Sequence, residues 1–438
     1  VTRSSFEETQ TVFKKKSLLA VVALMLAFSS FSFAVKTKAA DPVTIRWRTR
    51  VDSADEQKVY QTISDKISEQ LKDKGITLKY EPQPVDGYFE NLKTQLASGT
   101  APDVFWIAGA FVASYATGGA ILDLKDIAAA DKDFSVKDFY AAPMTELTHG
   151  GSLWGLPRDV GPLVVYYNED LFTQAGLDTP AKLSADGKWD WAAFNKAAAA
   201  LTDEKAGTYG FGHDNWWGPW GYWIYAGGGS LFNADNTACN LNSEGSIKGL
   251  QALQDAYTKT KTSPLPGSPS SGQALWLAGK EGMFFNGRWF TPAARGAAFK
   301  WGVAEMPKGP GGNFTWGFWG AYTINAKTAH AKEAWEVVKA LTSADNQGAI
   351  AALGTNIPSR NSKAAQDAFL KSTPPADNTP FIKSLDYAKG EFALWGGDLD
   401  EILNQVIQPQ LDKVWQGTLS PADFGKTVCP LVDAKLKK

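Results

Sequence analysis

The sequence predicts an α/β fold with largely parallel sheets, and three observations carry that expectation. Strand-like and helix-like stretches alternate between residues 43 and 106. The alternation restarts near residue 153 after a turn-rich link. The chain, at 438 residues, is too long for one simple core and calls for about two or three domains.

Residues 43–51 read as a first strand. In 54–74, Val59, Ile63, Ile67 and Leu71 recur at helical spacing, and Gly75 closes the helix. Residues 76–80 are a second strand, 88–97 a second helix ended by Ser98 and Gly99, and 101–106 a third strand. Strands alternating with helices imply βαβ units, whose ligands bind beyond the carboxyl ends of strands. Attention therefore falls on 49–53 and 106–111.

Residues 156–162 form a stiff link rich in Pro and Gly. A strand at 163–168, a short helix at 170–175 and an Ala-rich helix at 189–201 follow. Residues 209–232 then hold nine aromatic residues in 24. The stretch 263–272 is a Pro/Gly/Ser loop. Residues 280–290 read as a strand entering a turn, 307–313 as a second flexible link, 318–325 as a strand and 333–341 as an amphipathic helix. The remainder, from about 345, reads as mostly helical.

The chain carries 17 Trp, 24 Phe and 13 Tyr, which points either to aromatic-rich cores or to surfaces that grip a ligand. The formal net charge is −2, with no like-charge block beyond Lys14-Lys15-Lys16, so no nucleic-acid footprint is present. Three scattered His and two distant Cys make no recognisable metal site, and no cofactor is called for. The lysine triplet precedes a short apolar run, the layout of a secretory signal over residues 1–40, cleaved after Ala34 or Ala40. Ser29, Ser30 and Ser32 weaken the alternative of an uncleaved anchor, and no Cys near the cleavage region marks a lipoprotein. Export into an oxidising compartment makes a Cys239–Cys429 disulfide feasible, with two free thiols as the alternative.

Several segments together resemble the extracellular solute-binding proteins of sugar-importing ABC transporters, the class of maltose- and maltodextrin-binding proteins. The carriers are Ala101-Pro102-Asp103-Val104-Phe105-Trp106, Gly151-Ser152-Leu153-Trp154-Gly155-Leu156-Pro157, and Val165-Tyr166-Tyr167-Asn168-Glu169-Asp170-Leu171-Phe172. Gly282-Met283-Phe284-Phe285-Asn286-Gly287-Arg288-Trp289, Trp316-Gly317-Phe318-Trp319-Gly320 and Gly354-Thr355-Asn356-Ile357-Pro358-Ser359-Arg360 complete the set. The resemblance implies the two-lobed periplasmic-binding-protein fold (type II), with a ligand cleft between lobes that close by hinging. It places 41–157 and 313–344 in the first lobe, and 158–312 and 345–438 in the second, with a third crossing near 341–346. It implies a periplasmic, monomeric, non-enzymatic carbohydrate carrier that partners a membrane permease.

Sugar rings shed water from C–H patches onto flat aromatic faces, while their hydroxyls need donors and acceptors at the rim. By resemblance, Trp106, Trp217, Trp220, Trp289 and Trp395 are ligand-facing; Trp216, Trp316 and Trp319 join them as neighbours. Core or inter-lobe packing is the alternative for each. Residues 107–110 hold no acid where many relatives carry one after the Trp106 position. That polar role passes to Arg50, Asp52, Arg158 and Asp159, with Arg288 beside Trp289. Structural ion pairs are one reading of these arginines; a bidentate clamp on a sugar acid is the other. A secreted glycosidase or lyase is a competing function, but no motif pairs Asp159, Glu281 or Asp398 as its acids. The same scaffold with a non-sugar solute is a third.

Overall fold

The computed structural model describes residues 42–267, 272–354, 356–390 and 394–436; the predicted signal segment lies outside them. Thirteen strands are described: β1 (Val43–Val51), β2 (Ile76–Pro84), β3 (Val104–Ala108), β4 (Thr148–His149), β5 (Ser152–Leu153), β6 (Leu156–Pro162), β7 (Val164–Asn168), β8 (Tyr209–His213), β9 (Glu281–Asn286), β10 (Trp301–Ala304), β11 (Thr315–Ile324), β12 (Ile357–Pro358) and β13 (Ala388–Gly390).

The first sheet runs β12-β6-β11-β3-β1-β2, with β13 added on β11; the second runs β10-β7-β9-β8; β4 and β5 form a separate hairpin. Both sheets are mixed, where the sequence pattern predicts mostly parallel ones. β1 pairs in parallel with β2 and β3, and β8 with β9. β7 pairs antiparallel with β9 and β10, and β11 with β3 and β6, while β13 joins β11 in parallel. The reason is connectivity: β7 and β11 reach their sheets from the other lobe, not through a βαβ crossover.

The first helix, Ala54–Gln70, starts at Ser53, whose hydroxyl accepts from the Glu56 amide. Its buried face runs through Tyr60, Ile63 and Ile67, with Tyr60 taking the place expected of Val59. Gly75, at φ 69°, ends the short turn that follows.

Between β6 and β7 lies one residue, Leu163, fully buried at the passage from the first sheet to the second. The chain returns through residues 305–314 into β11. The expected third crossing near 341–346 is corrected. Helix Ala344–Leu353 packs on helix Ala54–Gln70, and β12 pairs with β6, so this stretch belongs to the first lobe. Gln347 fixes it there, donating to the carbonyls of Pro157 (3.3 Å) and Arg158 (3.0 Å). Helix Thr379–Leu385 then packs against β7 and β10 of the second sheet as well as β6 and β11 of the first.

The C-terminal helices dock on helix Glu244–Thr258, where Gln254 donates to the carbonyls of Val414 (2.8 Å) and Leu419 (2.9 Å). Cys239 and Cys429 are disulfide-bonded across 190 residues of sequence. Among the described residues no helix is long and apolar enough to cross a membrane.

Candidate ligand cleft

The first-lobe wall begins where β1, β3 and β6 end. β6 pairs with β11 such that Gly320 opposes Asp159 and Ala321 opposes Pro157, leaving Arg158 as the extra residue of a bulge. A bulge re-aims one side chain. Here the Arg158 guanidinium turns inward, donating to Thr49 Oγ1 (3.1 Å) and Tyr60 Oη (3.3 Å). It also forks onto Asp159 Oδ2, at 3.1 and 2.7 Å. The other oxygen of Asp159 accepts from the Gly320 amide at 3.1 Å. Arg50 pairs with Asp52. Both guanidinium carbons lie 5.0 Å from the centre of the Trp106 ring.

Glu56, beneath them, accepts from the Asp52 amide (2.7 Å) and the Tyr60 hydroxyl (3.2 Å). Burial, reinforced by Asp52, pushes its carboxyl up to about 7 against the pull of Arg50 and Arg158. Each cleft arginine therefore has its own carboxylate. Arg46 and Arg48 on β1 are likewise taken up by Glu81 of β2, at 2.7 and 2.8 Å. The ion-pair reading accounts for all four, and a spare clamp for a carboxylate is not present among them.

The facing wall is aromatic, with tryptophans of the second lobe joined by Phe318 of β11 in the first sheet. Trp216 and Trp217 follow β8, and Trp289 follows β9. Trp216 lies 6.0 Å from Trp217, 6.3 Å from Trp289 and 5.0 Å from Phe318, and Trp289 lies 5.8 Å from Phe318. Gly218 makes this possible, since a Cβ there would sit 2.4 Å from Trp216 and 2.7 Å from Phe318. Trp216 and Trp289 keep part of their surface open, and Trp217 is 9 % exposed. The walls meet where the Arg50 guanidinium stands 6.0 Å from the Trp289 ring.

Other candidates lie elsewhere. Arg288 is corrected: it is 1 % exposed and turned away from the cleft, donating to Ser372 Oγ (2.7 Å) and to Asn378. It lies over Phe369 and Phe381, and burial pushes it down to about 10. Trp316 is fully buried and donates to the Gly218 carbonyl at 2.9 Å. Trp220 is buried against the C-terminal helices, donating to Gln408 Oε1 at 3.2 Å. Trp106 is covered by the two arginines, Tyr88 and Phe89. Trp319 donates to Glu146 Oε2 at 3.1 Å, and Trp395 stacks on His149.

Two polar groups escape the sequence reading. Asp214 directly follows β8, receives the Gln273 amide at 3.2 Å and lies 3.5 Å from the Asn286 amide nitrogen. Burial, joined by Asp52 and Asp86 of the opposite lobe, pushes its carboxyl up to about 6 against the Gln273 amide. Glu146 is pushed up to about 8 by burial, against the Trp319 bond. Asp214 was recoverable: it sits at a strand's carboxyl end, beside the tryptophan pair.

A two-lobed α/β molecule with one cleft between lobes that the chain crosses repeatedly is the architecture of a solute receptor. The family model for bacterial extracellular solute-binding proteins matches residues 53–348, and the chain belongs to that family. Its relatives include a galactooligosaccharide-binding protein of Bacillus subtilis, 24% identical over 71% of this chain and 72% of that one. A maltooligosaccharide ABC transporter solute-binding lipoprotein of Streptococcus pneumoniae is 26% identical over 55% of each chain. Among solved structures, an ABC substrate-binding protein of Listeria monocytogenes in complex with cycloalternan superposes with a TM-score of 0.82. It is 23% identical and covers 90% of this chain and 99% of its own. A solute-binding protein of Thermotoga lettingae bound with α-D-tagatose gives 0.75 at 20% identity, covering 90% and 99%.

Proposed function

We propose that this chain is the ligand-capturing component of an ABC importer for a neutral carbohydrate. The observation that carries the reading is the aromatic wall of Trp216, Trp289 and Phe318, set opposite Asp52 and Arg50 with Asp214 beside it. Flat apolar faces with a few polar groups at the rim suit a pyranose, whose unpaired hydroxyls would each cost about 1–3 kcal/mol. The sugars named for the relatives agree with this chemistry. A glycerophosphocholine complex on the same fold raises a zwitterionic phosphodiester as an alternative, but the arginines that would take its phosphate are already paired in this cleft.

The chain captures rather than transforms its ligand. It acts as an exported monomer and hands the ligand to a membrane permease. The lobes rotate about Leu163 and residues 305–314, and a ligand shifts them only by its preference for the closed arrangement. A thermal-shift screen against neutral sugars, uronic acids and glycerophosphocholine tests the reading. Stabilisation by at least one neutral sugar is expected; stabilisation by the uronic acids or glycerophosphocholine alone would remove it.

A further inference from the structure

The segment 394–400 belongs by its base to the second lobe and by its face to the first. At the base, Asp398 Oδ1 accepts the amides of Asp400 (3.0 Å) and Glu401 (3.2 Å), starting the π-helix Glu401–Ile407. Glu401 pairs with Lys435 of the last helix, whose carbonyl also lies against Gly397. At the face, the rings of Trp395 and His149 stack 3.9 Å apart at 9°. His149 stands on the β4–β5 hairpin, held there by the turn of Gly150 and Gly151 at φ 60° and 82°. Trp154 adds a tilted contact to Trp395 at 6.4 Å. Five residues beyond Trp395, Asp400 pairs with Lys93 of helix Tyr88–Ser98 in the first lobe.

We propose that residues 394–400 are a strap that latches the two lobes together without ligand. A parallel stack at van der Waals distance leaves no room for a sugar on that face of Trp395. The resemblance to a ligand-stacking tryptophan is thus answered by a protein ring from the opposite lobe. Two contacts of different chemistry, one ring stack and one ion pair, meet one short segment from two separate first-lobe elements. Together they resist rotation of the lobes more than either alone. The π-helix at the base is consistent with a functional segment, since such turns are rare and concentrate at functional sites.

The strap needs hinged lobes but no particular ligand, so its test is made on the ligand-free chain and stands apart from the sugar reading. Small-angle X-ray scattering of the ligand-free protein should give a compact particle for the wild type. His149→Ala combined with Lys93→Ala should lose that compaction, while His149→Tyr, which keeps a stacking ring, should retain it. Lys93→Asp should expand the particle, and adding Asp400→Lys should restore it; this arm reads the ion pair alone if the alanine pair impairs folding. Identical scattering from wild type and the folded alanine pair, or an Asp400→Lys reversal that restores nothing, overturns the latch.

Discussion

The hydroxyl of Thr315 donates to the carbonyl of Leu163 at 2.8 Å, both residues fully buried. Leu163 is the whole of the first crossing, and Thr315 is the first residue of β11 after the second. The two passages between lobes are therefore fastened side by side at one point. Thr315→Val keeps the shape but leaves a buried carbonyl without this donor. A loss of about 1–3 kcal/mol is expected, read as a lowered urea midpoint with an unchanged m-value. An unchanged midpoint would mean that the bond contributes nothing to the hinge.

Arg158 and Asp159 test the buried first-lobe network. Asp159 serves both the Arg158 fork and the Gly320 amide. Removing one partner of a buried pair leaves the other charge uncompensated, at a cost of about 3–5 kcal/mol. Asp159→Ala should therefore be strongly destabilising in equilibrium unfolding. Replacing both residues by apolar ones should cost less than the single change; a double variant worse than Asp159→Ala would contradict this account.

Glu281 gives a pH dependence. Both its carboxyl oxygens are buried, with no hydrogen-bond partner among the described residues. Burial pushes the group well above its ordinary 4.5, and Asp214 adds to the shift. The folded chain thus holds a proton that the unfolded chain releases. Its contribution is fully present below pH 4.5 and is lost as pH rises through the folded value. Glu281→Gln should match the wild type in melting temperature near pH 4 and exceed it at pH 7–8. A constant difference across that range would refute the assignment. Glu56, Asp214 and Glu146, also raised, keep part of the slope in the variant.

Within the sugar reading, Trp216→Ala and Trp289→Ala should each weaken binding by about 1–3 kcal/mol, or roughly 5- to 150-fold in Kd. Trp220→Phe and Arg288→Met should instead lower stability and leave Kd nearly unchanged, because both side chains are buried against the C-terminal segments. Calorimetric titration with a stabilising sugar separates the two groups. A Trp289→Ala variant of wild-type affinity would move the ligand off the aromatic wall.

The periodic parts of this fold are legible in the sequence. Ile63 and Ile67 announce a helix by spacing alone, and strands β1 to β3 follow from their alternation with helices. The aromatic wall is partly legible, because Trp289 follows a predicted strand and Trp216 and Trp217 stand in the aromatic-rich stretch 209–232. What is lost depends on rotation and partnership. Arg288 and Trp289 are neighbours in sequence, but they stand in a 3-10 turn, where successive side chains diverge by about 120°. One faces the wall and the other the core. Phe318 reads as a strand residue with no sign of the rings that gather round it. Ile357 and Pro358 form a two-residue strand, too short to show a period, and so the first-lobe allegiance of the helix before them goes unseen.

The Cys239–Cys429 cross-link has a practical meaning for anyone preparing the protein. Helix Pro421–Leu436 is the last described helix, and the bond staples it to the second lobe beside the Asp433 contact to the Cys239 amide at 2.7 Å. Material made in a reducing cytosol would carry the same amino acids with that helix untethered from Cys239. The helix would then open more readily to proteases, so two preparations of one sequence would differ by their route of synthesis.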